Sequence, residues 1–246
     1  MSSTPSAAEE QGDNQDAFSA QLREAENHGV QSILASDASS KAIFRILDTA
    51  SGLAEMAYEN ARAPNARPVA CKEGCSWCCH QTVGVTAPEA IRIAEYLRTM
   101  KDTAARDAML ERLRAVDEAT RGITPEARDE LRLACAFLTD GRCGIYPVRP
   151  LACAEYTSFD VEDCIKDYYA GFVKTTARCD RVWWLVHKAV RTGLRDGLAG
   201  ALPESDMAPL ELSAAVADAL KSPDPAAEWR AGKPVFEKAH LAVEPK

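Results

Sequence analysis

One short run constrains this chain more than any other feature, because residues 71–80 hold four thiols. If the run were helical, Cys71, Cys75, Cys78 and Cys79 would occupy about one third of the circumference, and a loop could gather them equally well. Thiolates packed together repel one another unless a cation or an iron–sulfur cluster neutralises their charge. One such cysteine could simply fill a core, but four at this spacing favour metal ligation over core filling or disulfides.

A second group of cysteines follows further along the chain. Asp140-Gly141 is typical of a two-residue hairpin turn, and the residues on either side are apolar and β-prone. Such a hairpin would place Cys135 and Cys143 on opposite arms, near one another. Two prolines precede Cys153 and disfavour a helix there, so we expect this thiol to be presented from a stiff loop.

Apolar residues recur at helical spacing along most of the chain. The strongest helix start is Thr86 with Glu89 three residues later, which predicts a capping box. The predicted helices span Lys41–Ala61, Thr86–Met100, Thr103–Thr120, Pro125–Leu133, Asp160–Thr175, Arg181–Leu198 and Leu210–Leu220. Strands and helices do not alternate, so we expect a mainly α fold, a helical domain with cysteine-rich loops and a small β-hairpin around a metal site.

The ends of the chain differ in composition from its middle. Residues 1–30 are polar and acidic with few bulky apolar groups, which predicts a flexible tail. Residues 31–200 are predicted to form the helical cysteine-cluster domain, and residues 201–246 a C-terminal helix and tail. With 246 residues and 46% hydrophobic side chains, the chain can build a sizeable core without cross-links.

Charge and composition also narrow the partners. A net charge of -8 argues against a general affinity for nucleic acid or for anionic membranes, which both need concentrated positive charge. Met1–Gln15 lacks the basic and apolar regions of a targeting peptide, and no later apolar run is long enough to cross a bilayer. We therefore expect a cytoplasmic protein whose nine cysteines remain thiols or bind metal.

Seven of the cysteines belong to a longer pattern that includes an Ile-Tyr and an Arg-Pro pair. Its positions are Cys71-x3-Cys75-x2-Cys78-Cys79, Val85-Thr86 with Glu89, Cys135-x-Phe137-Leu138, Gly141-x-Cys143-x-Ile145-Tyr146, and Arg149-Pro150-x-x-Cys153 with Tyr156. Over about residues 71–156 this pattern resembles a cysteine-cluster (CxxxCxxCC) family described as a zinc- or iron-chelating domain.

The resemblance implies a set of candidate metal ligands. These are Cys71, Cys75, Cys78, Cys79, Cys135, Cys143 and Cys153. Cys164 and Cys179 lie outside the pattern, so their role is open. Similar patterns occur in flagellin lysine methylases, which implies an enzymatic branch, although this chain has no glycine-rich loop of the kind that cradles a nucleotide-like cofactor.

Cysteine ligands alone do not distinguish the metal, because four thiolates suit either tetrahedral zinc or a 4Fe–4S cluster. Three thiols on one segment, with a fourth from elsewhere, suit a cluster slightly better. We expect Cys71, Cys75 and one of the adjacent pair Cys78 and Cys79 to be joined by one thiol of the second group. Seven thiols are more than the four ligands of one tetrahedral centre. The remaining thiols would surround the ligands without binding the metal, be redox-active, or bind a second metal.

Other side chains near the cysteines have less specific interpretations. His80 is more typical of a hydrogen-bonding neighbour than of a ligand. Arg149 would either counter thiolate charge or pair with a carboxylate. Trp77 and Tyr146 are expected to shield the site from water.

These observations support three functions. The first is a metal-binding protein whose centre is structural or serves redox chemistry or metal handling. The second is an iron–sulfur-dependent modifying enzyme, either lysine-methylase-like or of the radical S-adenosylmethionine type, whose signature Cys71-x3-Cys75-x2-Cys78 matches. The surrounding helical pattern disfavours the βα barrel that carries this signature. The third is a structural zinc module that binds a protein partner. Whether the chain is an enzyme is left open.

Overall fold

Helices dominate the computed structural model, which describes residues 7–173 and 177–242. Within these residues the α-helices are α1 (Ala7–Ser36), α2 (Ala42–Ala61), α3 (Ala87–Thr99), α4 (Thr103–Thr120), α5 (Pro125–Leu131), α6 (Leu151–Glu155), α7 (Val161–Tyr169), α8 (Arg181–Ala201), α9 (Leu212–Lys221) and α10 (Pro225–Arg230). The strands are β1 (Gly84–Val85), β2 (Leu138–Thr139), β3 (Arg142–Cys143) and β4 (Leu210–Glu211). The predicted mainly α class is therefore confirmed. None of the described helices is both long and apolar enough to cross a membrane.

Local signals account for the helix starts. The backbone N–H of Thr86 donates to Glu89 Oε2 at 2.7 Å, which completes the predicted capping box of α3. Helix α4 has the predicted bounds because Asp102 accepts from the backbone N–H of Ala105 at 2.9 Å. Helix α7 is shorter than predicted and ends at Tyr169. Residues 174–175 of that prediction lie outside the described residues.

Helix α1 differs from the flexible tail that composition predicted for residues 1–30. Described from Ala7, it packs along α8 and buries Leu22 and Val30. Two glycines of α8 permit this contact. A Cβ added to Gly193 would lie 2.3 Å from the carbonyl oxygen of Arg23. The two backbones approach so closely that α1 needs few bulky side chains to bury its face.

The C-terminal residues also pack into the core. Helix α9 lies against α3 and α4, and β4 pairs antiparallel with β1, with Gly84 opposite Glu211. Leu210 and Trp229 are fully buried. Residues 201–242 therefore contribute strand and core contacts next to the segment that follows the first cysteine run.

A tight hairpin joins β2 and β3. Leu138 pairs with Cys143, and Asp140 and Gly141 both have positive φ angles of 50° and 76°. These angles match the turn that Asp-Gly predicts. A Cβ on Gly141 would lie 3.3 Å from the carbonyl oxygen of Gly74, so the hairpin tip lies against the first cysteine run.

The α1–α8 contact yields a packing prediction. We expect Gly193→Ala to lower the free energy of unfolding by about 1–3 kcal/mol, because the new methyl group overlaps the backbone of α1. Gly52→Ala on α2 is the control, since a Cβ there meets nothing within 4 Å and should stabilise the helix by about 0.5–1 kcal/mol. Urea unfolding measures both. Equal effects of the two substitutions would contradict the close α1–α8 approach.

A buried carboxyl group on α1 yields a pH prediction. Glu26 is 3% exposed and its Oε1 has no hydrogen-bond partner, and burial raises its pKa to about 7. The unfolded chain releases this proton near its ordinary pKa, so the free energy of unfolding falls as pH rises from about 5 to about 7. We expect Glu26→Gln to remove roughly 3 kcal/mol of this dependence.

The measurement is urea unfolding at several pH values within that range. Glu24→Gln, an exposed position on the same helix, should leave the dependence unchanged. An unaltered pH dependence in the Glu26 variant would show that this carboxyl group is ionised in the folded protein.

Candidate metal centre

The first cysteine run is a loop followed by a 3₁₀ turn over Trp77–His80. The backbone N–H of Cys75 donates to the carbonyl oxygen of Lys72, and Gly74 between them has a positive φ of 87°. This tight turn is one that glycine adopts readily. The run therefore reverses direction between Cys71 and Cys75 instead of forming the helix that would have placed four thiols on one face.

Backbone hydrogen bonds join the two cysteine regions. The N–H of Cys135 donates to the carbonyl oxygen of Cys79 at 2.7 Å. The guanidinium of Arg128 donates to the carbonyl oxygens of His80 and Leu133, at 3.3 and 3.0 Å. Arg128 is 3% exposed, so its cation is held inside the protein beside the thiols. Arg128 thereby connects the last residue of the first run to the residues just before Cys135.

Glu89 fixes the position of the third cysteine segment. It is buried, and its two carboxylate oxygens accept from the backbone N–H groups of Thr86 and Leu151, at 2.7 and 2.9 Å. Leu151 begins α6, and α6 contains Cys153. The prediction of a stiff loop at Cys153 is therefore wrong. Pro150 stands immediately before the first helical residue, where proline is tolerated, and so does not prevent the helix.

The clustered thiols have raised pKa values. Burial is the main cause for Cys75, Cys143 and Cys153, and it raises the pKa of Cys135 to about 11. For Cys78, the largest cause is its hydrogen bond with Cys79, followed by burial. These thiols are protonated at neutral pH in the metal-free protein. A thiophilic cation that binds them must displace those protons.

Two arginines oppose this effect. The guanidinium of Arg149 favours the thiolates of Cys78 and Cys143, and that of Arg128 favours the thiolate of Cys135. Arg149 also lies 4.5 Å from the centre of the Tyr146 ring. The sequence had suggested charge compensation by Arg149. Arg128 was missed, because an arginine on a short predicted helix is ordinarily a solvated side chain.

Cys78 interacts with thiols from several segments of the chain. It interacts electrostatically with members of both cysteine regions: Cys75, Cys79, Cys143, Cys153 and Cys164. Cys71 interacts with Cys75 and Cys164. Cys179 is exposed. The structure therefore gathers the seven predicted ligands in one region and adds Cys164, which the sequence pattern had left without a role.

The donor chemistry fits a thiophilic metal. All nine cysteines are free thiols, in side chains that range from exposed Cys71 to buried Cys164. Among residues 7–173 and 177–242, no three His, Cys, Asp or Glu side chains already stand in an arrangement that could hold a metal ion. Each thiol turns about a single side-chain torsion. Metal binding must therefore draw the sulfur atoms together from their present rotamers.

Aromatic rings cover one side of the 3₁₀ turn. The Tyr168 ring lies 5.3 Å from Trp77 and 4.9 Å from His80, measured between ring centres. His80 Nδ1 lies 3.2 Å from the carbonyl oxygen of Ser76. The histidine therefore has the hydrogen-bonding position that was expected for it.

Comparison with known proteins identifies one family. Residues 70–179 match the model of the CxxCxxCC family, whose description is "Putative zinc- or iron-chelating domain". This confirms the resemblance seen in the sequence and supports metal binding. The match extends beyond Tyr156 and includes Cys164 and Cys179. No curated protein and no solved structure matches the chain.

The hydrogen bonds of Glu89 yield a prediction about how α6 and its Cys153 are held in place. We expect Glu89→Ala to lower the free energy of unfolding by about 3 kcal/mol, because the three hydrogen bonds that Thr86 and Leu151 donate to its side chain are lost. Alkylation of Cys153, followed by mass spectrometry, should become faster as α6 loosens. Glu111→Ala, an exposed position on α4, should change neither quantity. Unchanged Cys153 reactivity in the Glu89 variant would show that α6 is held by other contacts.

Proposed function

Because residues 70–179 form a CxxCxxCC domain, we propose that this protein binds iron through its clustered thiols, as an iron–sulfur centre with a structural, redox or metal-handling role. One observation carries the proposal. Thiols from the first run, from the hairpin region and from α6 all interact with Cys78, in a region where burial makes isolated thiolates unfavourable. A bound cation or cluster removes that penalty.

The proposed ligands come from the seven cysteines of the family pattern: Cys71, Cys75, Cys78, Cys79, Cys135, Cys143 and Cys153. Four thiolates would hold a 4Fe–4S cluster or a zinc ion, and the former supplies reversible one-electron chemistry when bound. Arg128 and Arg149 supply positive charge next to these thiolates. Glu89 and Arg128 hold three segments in place by hydrogen bonds to their backbone. These segments are the end of the first run, the residues before Cys135 and the start of α6.

Several features favour iron–sulfur over a simple zinc site. The thiols outnumber the four ligands of one tetrahedral ion. The backbone N–H of Ser158 donates to Cys71 Sγ at 3.3 Å, and hydrogen bonds to sulfur are one of the means by which proteins tune such clusters. The remaining thiols of the pattern are partly buried, which limits the access of water to the centre. The experiment described below distinguishes an iron–sulfur centre from a zinc site.

The modifying-enzyme alternative has less support. The described residues around the first run form helices and two-stranded sheets instead of a βα barrel. The cavity that borders Glu89 and Arg149 has a volume of about 10 Å³, far below that of a small-molecule site. These features favour a metal-binding role in which the centre itself performs the function.

The proposal is tested by elemental analysis and visible absorption of protein purified without oxygen. We expect iron and acid-labile sulfide in equal amounts with a broad brown absorption, and a large loss of both in Cys78→Ser. Cys179→Ser, at an exposed thiol, should retain them. Circular dichroism verifies that each variant is folded.

The other results have definite meanings. Colourless protein with stoichiometric zinc would replace the iron–sulfur centre by a zinc site. Folded wild-type protein that takes up neither iron nor zinc would overturn metal binding itself.

A further inference from the structure

Helix α8 presents one strip of its surface to solvent along its whole length. The positions on this strip recur at alternating intervals of four and three residues: Arg181, Leu185, Lys188, Thr192, Arg195 and Ala199. In an α-helix such positions stay within about 80° of the circumference. None of these six side chains is buried. We call this strip the α8 seam, because the same alternation of four and three residues is the spacing at which one helix packs along another.

Every charged side chain of the α8 seam is positive. Arg181, Lys188 and Arg195 follow one another at seven-residue intervals, which places them about 10.5 Å apart along the helix. None of the three forms an ion pair with a carboxylate among residues 7–173 and 177–242. The ammonium group of Lys188 lies 4.6 Å from the centre of the Trp184 ring. A chain with a net charge of -8 therefore carries a row of unpaired cations on this helix.

The carboxylates that border the α8 seam already have partners. Glu155 on α6 pairs with Arg191, and Asp196 pairs with Arg23 on α1. Arg191 and Asp196 lie on opposite sides of the seam, since they are offset from it in opposite directions around the helix. Each of these ion pairs is neutral as a unit. The two pairs therefore leave the positive charge of the seam uncompensated.

A single exposed arginine or lysine is ordinarily a solvated side chain. Three cations at one fixed interval, with Leu185, Thr192 and Ala199 between and after them, form a more specific pattern. The hydroxyl group of Thr192 donates to the carbonyl oxygen of Lys188 at 2.8 Å, so covering this side chain leaves no donor unpaired. The seam can therefore be covered by another helix without burying an unsatisfied group at Thr192.

We infer that the α8 seam is a docking surface for an acidic α-helix of a partner protein. Carboxylates at seven-residue intervals on that helix match the spacing of Arg181, Lys188 and Arg195, as charged positions do between paired helices. Leu185 and Ala199 supply apolar contact between these charges.

The charge pattern favours this occupant over three others. A second copy of the seam would bring cations against cations, which repel. Nucleic acids and anionic membranes both attract dense positive charge, whereas the seam has one cation in every two helical turns and the chain as a whole is acidic. An acidic helix instead repeats its charge at the interval of the seam itself.

The α8 seam lies outside the matched family domain but beside it. Helix α8 begins at Arg181, after the matched residues 70–179. The indole N–H of Trp183 on α8 donates to the carbonyl oxygen of Ala154 at 2.7 Å, and Ala154 directly follows Cys153 on α6. A helix docked on the seam would therefore rest next to the pair of helices that includes this thiol. The docking surface goes beyond the proposed metal-binding function and does not require it.

Two synthetic peptides test the seam on the full-length protein. Both are alanine-based helices with the same number of glutamates, which stand at seven-residue intervals in the first peptide and at five-residue intervals in the second. Only the first peptide carries its carboxylates in one stripe. By fluorescence anisotropy of the labelled peptides, we expect the first to bind about tenfold more tightly. Its affinity should fall as sodium chloride is added, because exposed charge pairs are screened by salt.

Charge reversal locates the binding surface. The double substitution Lys188→Glu and Arg195→Glu should weaken binding of the first peptide about tenfold, because two attractions become repulsions. The matched control is Lys101→Glu with Arg114→Glu, which changes the net charge equally at two exposed cations outside α8. The control should bind as the wild type does. Circular dichroism verifies that both variants are folded.

Three results would overturn the inference. The first is equal affinity for the two peptides, and the second is equal weakening by the two double variants, because binding would then follow net charge alone. The third is binding of a short DNA duplex or of phosphatidylserine vesicles more tightly than the first peptide, with loss of that binding in the seam variant. Metal content measured on the same samples tests the proposed function separately, since neither double variant removes a thiol.

Discussion

Repulsion between thiolates is the constraint on which the centre of this structure depends. The fold brings cysteines from the first run, the hairpin, α6 and α7 into one partly buried region, where several negative charges repel one another unless a cation neutralises them. Arg128, Glu89 and Ser158 hold the segments by donating to or accepting from backbone groups. These contacts are made by backbone groups and by side chains other than the thiols.

Much of the helical framework could be predicted from sequence because its signals are local. The capping box at Thr86, the cap at Asp102 and the Asp140-Gly141 turn each act within three or four residues, and each is present in the structure. The seven-cysteine pattern likewise pointed to the region that holds the thiols. Where the structure depends on neighbours distant in sequence, the prediction failed or was silent. Cys153 shows this, since it lies on α6, whose first residue, Leu151, donates its N–H to Glu89 on the distant helix α3.

Three long-range contacts explain what could not be predicted. Helix α1 packs closely against α8 because Gly193 of α8 has no side chain. The composition of α1 therefore gives no sign that one of its faces is buried. Arg128 is recruited by two carbonyl oxygens that no sequence period reveals. Ser158, a residue without a motif, contacts both Cys71 and Cys164. The sequence pattern identifies the candidate sulfur donors, whereas tertiary packing determines which of them are neighbours.

The pairing of β1 with β4 can form only after all the cysteines have been synthesised, because β4 follows them in sequence. All nine cysteines precede residue 180, whereas β4 and α9 follow residue 209. Glu211 of β4 interacts with Cys135, and the N–H of Leu212 donates to the carbonyl oxygen of Val83. A segment that leaves the ribosome after all nine cysteines therefore forms one wall of the region that holds the thiols. A nascent chain therefore exposes every thiol to solvent before that wall is in place.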